Sequence, residues 1–480
     1  MIKIDDRLKS CADMVKGNGI ICDVGTDHAY LSVYLIQNDK CSKVIASDIV
    51  DGPLYSAEQT VKKYNLQDKI SLVKSNGLQN IDLTGVSDII IAGMGGETIL
   101  DIIKNEPLLK KLDISLTLQP MTKISLLRKE LYAEGFEIMK EVPTKVGDKF
   151  YITMNVKYSG YSIKLNDFIA ELGKIQLSND ISKEYALHKV QSIRNLVENL
   201  KSANVDTSNL IDIANKIELY VNNSAETTVK DIYDTIDKLA PFSTQEKWDN
   251  SGFLIGDLNS KVSKVLVALD ITNDVIEEAI QRKCELIVSH HPVIFSPLKS
   301  VKSNDVAYKL IKNNINAICC HTPLDMCNGG INDILYNILK EPLQLGNDIF
   351  PIEDGIGRIV STTTELSAKQ IALKLKEVLG CPMVKFIDIS KPIKKIAFCG
   401  GSGGSMIEDV LSLNGDLFIT GDIKHDRWIF ANDNNLCLFD CGHFYTENIV
   451  VPYLKEYIYS SVLNVDVFVA NSSRDVVKYI

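Results

Sequence analysis

The feature that most constrains the fold is a repeated pattern of short apolar runs that end in polar residues or glycine. Segments with helical periodicity, such as Ala29–Gln37, separate these runs. Alternating strands and helices are typical of a parallel α/β sheet. In the first 155 residues the predicted strands are Ile20–Val24, Lys43–Asp48, Ser71–Ser75, Asp88–Ala92 and Ile114–Leu118.

The same pattern returns after Thr228 and predicts a second α/β system. Its predicted strands are Val265–Leu269, Leu286–Ser289, Ala317–Cys320, Ile396–Cys399, Leu417–Thr420, Leu436–Phe439 and Val465–Val469. Between Asn166 and Val221 apolar residues recur at helical spacing, which predicts two helices, with a simple linker as the alternative. A chain of 480 residues is too long for one core. We therefore predict a Rossmann-like domain over 1–160, a helical extension over 161–224 and a second α/β domain over 225–480.

Composition and charge limit where the protein works and what it binds. No apolar run approaches the roughly 20 residues that a membrane helix needs, and the N-terminal sequence MIKIDDRLKS has no apolar signal segment. The eleven cysteines form no CxxC pair, which fits a reducing compartment. We expect a cytoplasmic protein with no membrane partner.

The two halves carry net charges of −2 (residues 1–224) and −8 (residues 225–480), so neither is a strongly basic nucleic-acid module. Any RNA contact must therefore use a local patch. Solvated helix faces often carry similar charges. The candidate cations for such a patch are Lys123, Arg128, Lys129, Lys183, Lys189 and Arg194.

Polar residues or glycine follow four successive strands of the first half. They are Asp23, Gly25 and Asp27 at the first strand end, Asp48 at the second, Asn76 at the third, and Gly93 and Gly95 at the fourth. Ligands of open parallel sheets bind beyond the carboxyl ends of strands, and an acidic residue at the position of Asp48 is suited to ribose hydroxyls. The pattern predicts a nucleoside-cofactor cleft, although each residue alone is also typical of an ordinary turn.

The motifs DVGTDHAYL, ASDIVDGPLYSA, SNGL, IAGMGG and LQP, in this order, resemble the TrmK-type tRNA methyltransferases, which modify N1 of the adenine at tRNA position 22. The resemblance covers roughly residues 4–200. It implies S-adenosylmethionine (SAM) as cofactor and tRNA as partner. It further implies that Asp23, Gly25 and Asp27 lie by the methionine end of SAM, Asp48 on the ribose and Asn76 near the adenine. The family more often has Asp at the position of Asn76.

Adenine N1 is already nucleophilic, so the reaction needs alignment and exposure of the base more than a strong base. Asp27, His28 and the loop at residues 93–96 are the candidates for lining the point of methyl transfer. For His28 a packing role at the start of a helix is an equal alternative.

Histidines and carboxylates cluster at strand ends of the second half. Five of the seven histidines lie between residues 290 and 443. His290 and His291 close one predicted strand, and the pairs His321/Asp325 and His443/Glu447 follow two others at a spacing that shares a helix face. Four imidazoles and two carboxylates exceed one tetrahedral zinc site and suit two metal ions.

The motifs SHHPVIFSPLKSV, HTPLDMCNGGIND and DCGHFYTEN resemble the Nif-three-like dinuclear-metal proteins, which are commonly labelled GTP cyclohydrolase 1 type 2 homologues. The resemblance spans residues 227–480 and implies two divalent ions, without distinguishing zinc, iron and manganese. The implied ligands are His290, His291, Asp325, His443 and Glu447, with His321 as a sixth candidate. Relatives of this kind form hexamers, which implies a homo-oligomer. The loop at residues 400–404 is a candidate phosphate cradle.

These observations predict a bifunctional fusion: a tRNA adenine-N1 methyltransferase joined to a dinuclear-metal hydrolase-like domain. A nucleotide or another phosphorylated small molecule is the expected partner of the metals. Two alternatives stay open. In the first, the chain is a methyltransferase whose metal domain is a non-catalytic metal-binding or oligomerising module. In the second, the chain is a GTP cyclohydrolase-type metal-dependent nucleotide hydrolase.

Overall fold

The computed structural model describes residues 1–17, 19–177, 179–201, 205–223, 226–352 and 355–478. The chain divides into two compact units, Met1–Ala225 and Glu226–Ile480. The predicted boundary at residues 224 and 225 lies outside the described residues, and the three-domain division stays a prediction. In the described ranges, no helix is both long and apolar enough to cross a membrane.

The first unit contains one seven-stranded sheet flanked by helices. Its strands are β1 (Ile20–Val24), β2 (Lys43–Asp48), β3 (Ile70–Lys74), β4 (Val86–Gly95), β5 (Ser115–Thr122), β6 (Phe136–Val146) and β7 (Lys149–Tyr158). Its helices are α1 (Asp6–Met14), α2 (Tyr30–Gln37), α3 (Asp51–Lys63), α4 (Gly96–Lys104), α5 (Ile124–Ala133), α6 (Asp167–Leu172), α7 (Asp180–Lys201) and α8 (Ser208–Asn223).

The strand order of this sheet is β3-β2-β1-β4-β5-β7-β6. Strands β1 to β5 are parallel, whereas β7 runs antiparallel to both β5 and β6. The order reverses at β1, which has β2 on one side and β4 on the other, and open sheets of this kind bind ligands at such a point. Side chains such as Ile21, Val33 and Ile90 form a buried core around the sheet.

A buried ion pair joins the sheet to the segment around α6. The Arg128 guanidinium on α5 donates to Glu141 Oε1 at 2.8 Å and to the Ala170 carbonyl oxygen at 2.7 Å. Both charged side chains are 1% exposed. Arg128 is therefore a structural residue, and its predicted place in an RNA-binding patch is wrong.

The second unit contains two sheets. Its strands are β8 (Gly252–Ile255), β9 (Lys264–Ala268), β10 (Leu286–Ser289), β11 (Asn316–Cys319), β12 (Leu345–Pro351), β13 (Arg358–Leu366), β14 (Lys385–Phe386), β15 (Ile393–Phe398), β16 (Leu417–Thr420), β17 (Cys437–Asp440) and β18 (Asp466–Val469). Its helices are α9 (Val229–Leu239), α10 (Asn273–Arg282), α11 (Val306–Lys312), α12 (Thr322–Met326), α13 (Ile331–Lys340), α14 (Ala368–Leu379), α15 (Ile407–Ser412), α16 (His425–Asp433), α17 (His443–Glu447) and α18 (Val450–Ser461).

One sheet has the order β18-β9-β10-β11-β8 and the other the order β12-β13-β15-β16-β17-β14. The central strands of each sheet are parallel. Apolar clusters cover both faces of the second sheet. Successive side chains of a strand point to opposite faces, and accordingly Leu417 and Ile419 pack into one cluster, whereas Phe418 between them packs into another. The predicted α/β fold class is confirmed in both units.

Candidate cofactor cavity and candidate metal centre

A cavity of about 450 Å³ opens at the carboxyl ends of β1 to β4 in the first unit. Gly25 after β1, Asp48 at the end of β2 and Asn76 after β3 all lie on its wall, with Met94 and Thr98 from β4 and α4. Gly25 has φ +75°, a conformation that favours glycine. Three of the predicted cofactor residues therefore share one cavity.

The Asp48 carboxylate combines a defined position with access to this cavity. Its Oδ1 accepts a hydrogen bond from the Val50 amide at 3.0 Å, and its Oδ2 lies 3.4 Å from the Asp27 amide nitrogen. These backbone contacts orient the carboxylate without neutralising it. It can therefore accept hydrogen bonds from hydroxyl groups of a ligand.

Asp23 lies near the carboxyl end of β1, and its side chain is directed into the protein. It is buried, and its Oδ2 accepts hydrogen bonds from Ser32 Oγ at 2.6 Å and Thr26 Oγ1 at 2.7 Å. Burial raises the pKa of Asp23, and the two hydroxyl groups partly offset this. The residue is not part of the cavity wall. Its hydrogen bonds order the turn that follows β1, and its place by the methionine end of the cofactor stays a prediction.

Asp27 and His28 lie on the exposed side of the same turn. Their side chains are 67% and 46% exposed, with His28 Nε2 3.6 Å from Asp27 Oδ2. The His28 ring stacks on Tyr30 with a centroid distance of 5.2 Å. Both residues lie outside the cavity lining, and so do Gly93 and Gly95, although Met94 between those glycines lines it.

The sequence analysis did not single out Arg7, which lies beside the loop at residues 93–96. Arg7 Nη1 donates to Gln119 Oε1 at 2.6 Å, and the same oxygen accepts from the Gly93 amide at 3.1 Å. The one signal in the sequence is that Arg7 is a cation within the first helical segment. Its position depends on a residue 112 positions away.

In the second unit, strand ends from both sheets converge on one cluster. His290 and His291 follow β10, His321 follows β11, and His443 and Glu447 lie on α17 after β17. A left-handed glycine, Gly442 at φ +86°, makes the turn from β17 into α17. The six predicted metal residues form three overlapping groups, each with ligand atoms within 4.8 Å of one another: His290/His291/His321, His291/His443/Glu447 and His290/Asp325/Glu447.

Glu447 lies at the centre of this cluster. Its Oε2 is 2.9 Å from His443 Nε2 and 3.0 Å from His291 Nε2. Its Oε1 is 3.8 Å from His290 Nε2, which is also 3.8 Å from Asp325 Oδ1. One carboxylate that faces three imidazoles could hold a metal ion together with them.

Each histidine is held through its Nδ1 atom, so that Nε2 faces the cluster. The contacts of Nδ1 are Asp270 Oδ1 for His291 at 2.8 Å, Asp249 Oδ1 for His321 at 2.7 Å, Asp422 Oδ2 for His443 at 2.8 Å and the Cys320 carbonyl oxygen for His290 at 2.8 Å. Imidazoles that bind metals are commonly oriented in this way by a carboxylate or a carbonyl. The sequence prediction did not include these partners, although Asp270 and Asp422 also follow strands.

The cluster fits a cation on two further grounds. His290 Nε2 is buried and has no hydrogen-bond partner among the described residues, which is costly unless a ligand satisfies the atom. Burial lowers the pKa of His291, but Asp270 and Glu447 outweigh it and raise that pKa to about 10. The pKa of His443 likewise rises to about 9, because Glu447 and Asp422 outweigh burial. The cluster thus favours positive charge.

The two carboxyl groups of the cluster respond in opposite ways. Burial raises the pKa of Asp325 to about 7. Burial acts in the same direction on Glu447, but the facing histidines hold its pKa well below the usual range. Glu447 therefore carries the negative charge that the imidazoles need.

The glycine loop at residues 400–404 does not form the predicted phosphate cradle. Its amides donate to protein oxygens: Gly400 to Asn332 Oδ1, Gly401 to Thr446 Oγ1 and Gly403 to Thr420 Oγ1. A Cβ on Gly401 would lie 2.0 Å from Glu447 Oε1. Gly401 has no room for a side chain because Glu447 packs against it.

A cavity of about 770 Å³ adjoins the cluster. His291 and His443 line it together with their partners Asp270 and Asp422, and two cations, Lys385 and Arg474, lie on its wall. Their nearest acids are Asp440 at 3.0 Å and Asp274 at 3.0 Å, respectively. The cavity can hold a small molecule against the cluster of histidines and carboxylates.

Comparison with known proteins gives a separate match for each unit. A family model described as Duf34/NIF3 (NGG1p interacting factor 3) matches residues 227–475, and a model described as a methyltransferase domain matches residues 4–154. The two matches confirm the resemblances at the level of these domains and in this order.

Individual relatives divide along the same line. A GTP cyclohydrolase 1 type 2 homolog from Clostridium acetobutylicum is 34% identical over 263 residues, which cover 52% of this chain and 98% of the relative. A GTP cyclohydrolase 1 type 2 from Helicobacter pylori is 32% identical over 238 residues, which cover 48% of this chain and 92% of the relative.

Among solved structures, a hypothetical protein from Staphylococcus aureus is 29% identical, with 53% of this chain and 100% of that chain covered and a TM-score of 0.49. A candidate tRNA (m1A22) methyltransferase from Streptococcus pneumoniae is 29% identical, with 46% of this chain and 100% of that chain covered and a TM-score of 0.41.

Proposed function

Because the chain belongs to the Duf34/NIF3 family through residues 227–475 and carries a methyltransferase domain at residues 4–154, we propose that it is a bifunctional fusion. The first unit transfers a methyl group from SAM to N1 of the adenine at tRNA position 22. The second unit is a hydrolase that uses two divalent metal ions. The proposed setting for both reactions is the cytoplasm.

The observation that carries the first activity is the cavity at the reversal of strand order, with Gly25, Asp48 and Asn76 on its wall. The motif order DHAYL, DGP and AGMGG supports the choice of adenine N1. SAM, when bound, supplies an activated methyl group. Asp48 would accept hydrogen bonds from its ribose hydroxyls, and the Asn76 side-chain oxygen would accept one from its adenine amino group.

The chain contributes mainly alignment to the methyl transfer. Gly25 leaves room for Met94, because a Cβ at Gly25 would lie 2.2 Å from the terminal methyl carbon of Met94, and both residues line the cavity. Asp27 and His28 lie on the exposed rim, where a base extruded from tRNA would arrive. Adenine N1 carries its own lone pair, so no residue has to remove a proton before the transfer.

The test of the first activity is transfer of labelled methyl groups from SAM to unmodified tRNA by the full chain, followed by mapping of the modified base. We expect 1-methyladenosine at position 22, and none on a tRNA with guanine there. Methylation at another base would contradict the specificity, and no methyl transfer would contradict the activity.

The observation that carries the second activity is the convergence of His290, His291, His321, Asp325, His443 and Glu447 on one cluster. Two divalent ions held there would supply Lewis-acid chemistry and a water activated as a nucleophile. Asp249, Asp270 and Asp422 contact the Nδ1 atoms of three of these histidines, which would leave their Nε2 atoms free to hold the ions.

Lys385 and Arg474 on the cavity wall support an anionic substrate, such as a nucleotide or a phosphorylated small molecule. Metal analysis of the purified chain, followed by hydrolysis assays with nucleotides and phosphoesters, tests this proposal. We expect roughly two ions per chain and hydrolysis that a chelator abolishes. A metal-loaded chain that hydrolyses none of these nucleotides and phosphoesters would favour a metal-binding or oligomerising module. Assembly into a homo-oligomer through this unit stays a prediction.

A further inference from the structure

Two cationic residues flank the glycine loop at the carboxyl end of β4. A Cβ placed on Gly93 would lie 3.5 Å from Arg7 Nη1, and one on Gly96 would lie 2.8 Å from the Lys123 carbonyl oxygen. Lys123 follows β5 directly, is exposed and has φ +55°. The Arg7 guanidinium therefore lies beside one end of the loop, and the backbone of Lys123, whose side chain is exposed, lies beside the other. Met94 between them lines the cofactor cavity.

Arg7 is held in place by a buried amide. Gln119 is fully buried, and its Oε1 accepts from both Arg7 Nη1 and the Gly93 amide. Its Nε2 donates to the Pro120 carbonyl oxygen at 3.0 Å, which fixes the orientation of the amide. Gln119 thus couples the position of the guanidinium directly to the loop.

The guanidinium keeps donors for a ligand. Only one of its five N–H groups is used by Gln119, and the contact of Nη2 with Asp5 Oδ2 is long, at 3.7 Å. The side chain is 20% exposed, and its guanidinium carbon lies 5.9 Å from the centroid of the Tyr151 ring. A positioned guanidinium with spare donors is well suited to a phosphate.

The other candidate cations of the first unit are mostly committed to carboxylates. Lys129 contacts Asp167 at 2.6 Å, Lys189 contacts Glu171 at 2.7 Å, and Arg194 contacts Glu218 at 2.5 Å. Arg128 is buried. Lys129, Lys189, Arg194 and Arg128 are therefore weaker candidates for RNA than Arg7 and Lys123.

We propose that Arg7 and Lys123 bind the RNA phosphates that flank the target nucleotide, one on each side of the loop at residues 93–96. To extrude a base, a protein must bind the nucleic-acid backbone on either side of that nucleotide. Phosphate contacts position the nucleic acid without recognising its sequence. The adenine then lies over the loop next to the cofactor cavity. This inference rests on the proposed tRNA methylation.

The test compares the full-length chain with Arg7→Ala and Lys123→Ala. We expect each variant to bind tRNA roughly 5- to 20-fold more weakly and to lower kcat/KM for tRNA to a similar extent. The slope of log affinity against log salt should fall by about one for each lost phosphate contact. SAM affinity, measured by equilibrium dialysis, should not change.

Lys9→Ala is the matched control, because Lys9 lies on the same helix, is exposed and contacts Asp6 at 2.7 Å. This substitution also removes one positive charge, and we expect its slope of log affinity against log salt to equal that of the wild-type chain. Arg7→Lys should keep the slope but lose part of kcat/KM, since lysine retains the charge without the guanidinium fork.

The inference is overturned if the wild-type chain methylates tRNA and both alanine variants have the same slope of log affinity against log salt as the wild type. A purely structural Arg7 would instead lower the melting temperature and SAM affinity of Arg7→Ala. In that case the tRNA affinity of Lys123→Ala still tests the inference, because Lys123 is exposed. Failure of the proposed function looks different, because the unchanged chain itself would then transfer no methyl group to tRNA.

Discussion

The two candidate sites of this chain are built in different ways although both lie at the carboxyl ends of parallel strands. The cavity of the first unit is formed largely by turns, with Asp48 and Asn76 as its polar side chains in predicted positions. In the second unit six side chains converge, and Asp249, Asp270 and Asp422 fix three of them from outside. A nucleoside cofactor brings its own shape and hydrogen-bonding groups, whereas a bare cation must be surrounded by the protein.

This difference has an energetic consequence. Loss of one side chain from the metal cluster leaves other buried charged groups unpaired, so its effect should be large. Loss of one hydrogen bond from the cofactor cavity removes one of many contacts. Predictions on the two sites therefore test whether the contrast is real.

The largest effect is expected for Glu447→Gln. Glu447 faces three histidines within 3.8 Å, so its neutralisation should lower metal affinity by more than roughly 100-fold. Metal content after dialysis measures this, and methyl transfer to tRNA should be unaffected. Glu408→Gln is the control, since Glu408 is an exposed partner of Arg427. Full metal content in Glu447→Gln would remove Glu447 from the ligand set.

A smaller loss of metal affinity, roughly 10- to 100-fold, is expected for Asp249→Asn. The Asp249 side chain is fully buried and accepts from Thr322 as well as contacting His321. Asp422→Asn should cost less, because Asp422 is 62% exposed and water can replace it. Equal losses in the two variants, measured by competition with a metal chelator, would contradict this ranking.

Much of this organisation could be predicted from sequence because the central parallel strands are continuous apolar runs. Strands β1, β2, β10 and β16 begin and end at the predicted residues. Strands β6, β12 and β13 were missed, since each is partly exposed and mixes apolar with polar residues. Antiparallel strands with one solvated face lack the continuous apolar run.

The sites divide in the same way. Side chains at or close to the end of a strand, such as Asp48 or His291, can be located once the strand is recognised. The contact of Asp249 with His321 cannot, because 72 residues separate them and only the fold brings them together. The direction of a side chain is also not given by its place at a strand end: Asp23 lies one residue before the end of β1, and its side chain turns inward to Thr26 and Ser32.

In the first unit we expect Asp48→Ala to weaken SAM binding by roughly 10-fold. A hydrogen bond to a charged group contributes about 1.5–3 kcal/mol, and solvent access to the cavity places the effect at the lower end. Equilibrium dialysis with labelled SAM measures it. Metal content should match the unchanged chain, and Asp51→Ala is the control, since Asp51 is exposed and pairs with Lys74. Unchanged SAM affinity would refute the ribose contact of Asp48.

The smallest effect is expected for Asn76→Asp, which introduces the residue that TrmK-type proteins more often have. Asn76 is exposed and lies on the cavity wall, where either an amide or a carboxylate oxygen can accept from an adenine amino group. The carboxylate makes the stronger bond but loses more hydration, so SAM affinity should change less than roughly 5-fold. Asn76→Leu, with no acceptor, should bind SAM more weakly than either. If Asn76→Leu binds SAM as tightly as the unchanged chain, the cavity holds the adenine by shape alone, and the contrast with the metal cluster is sharper still.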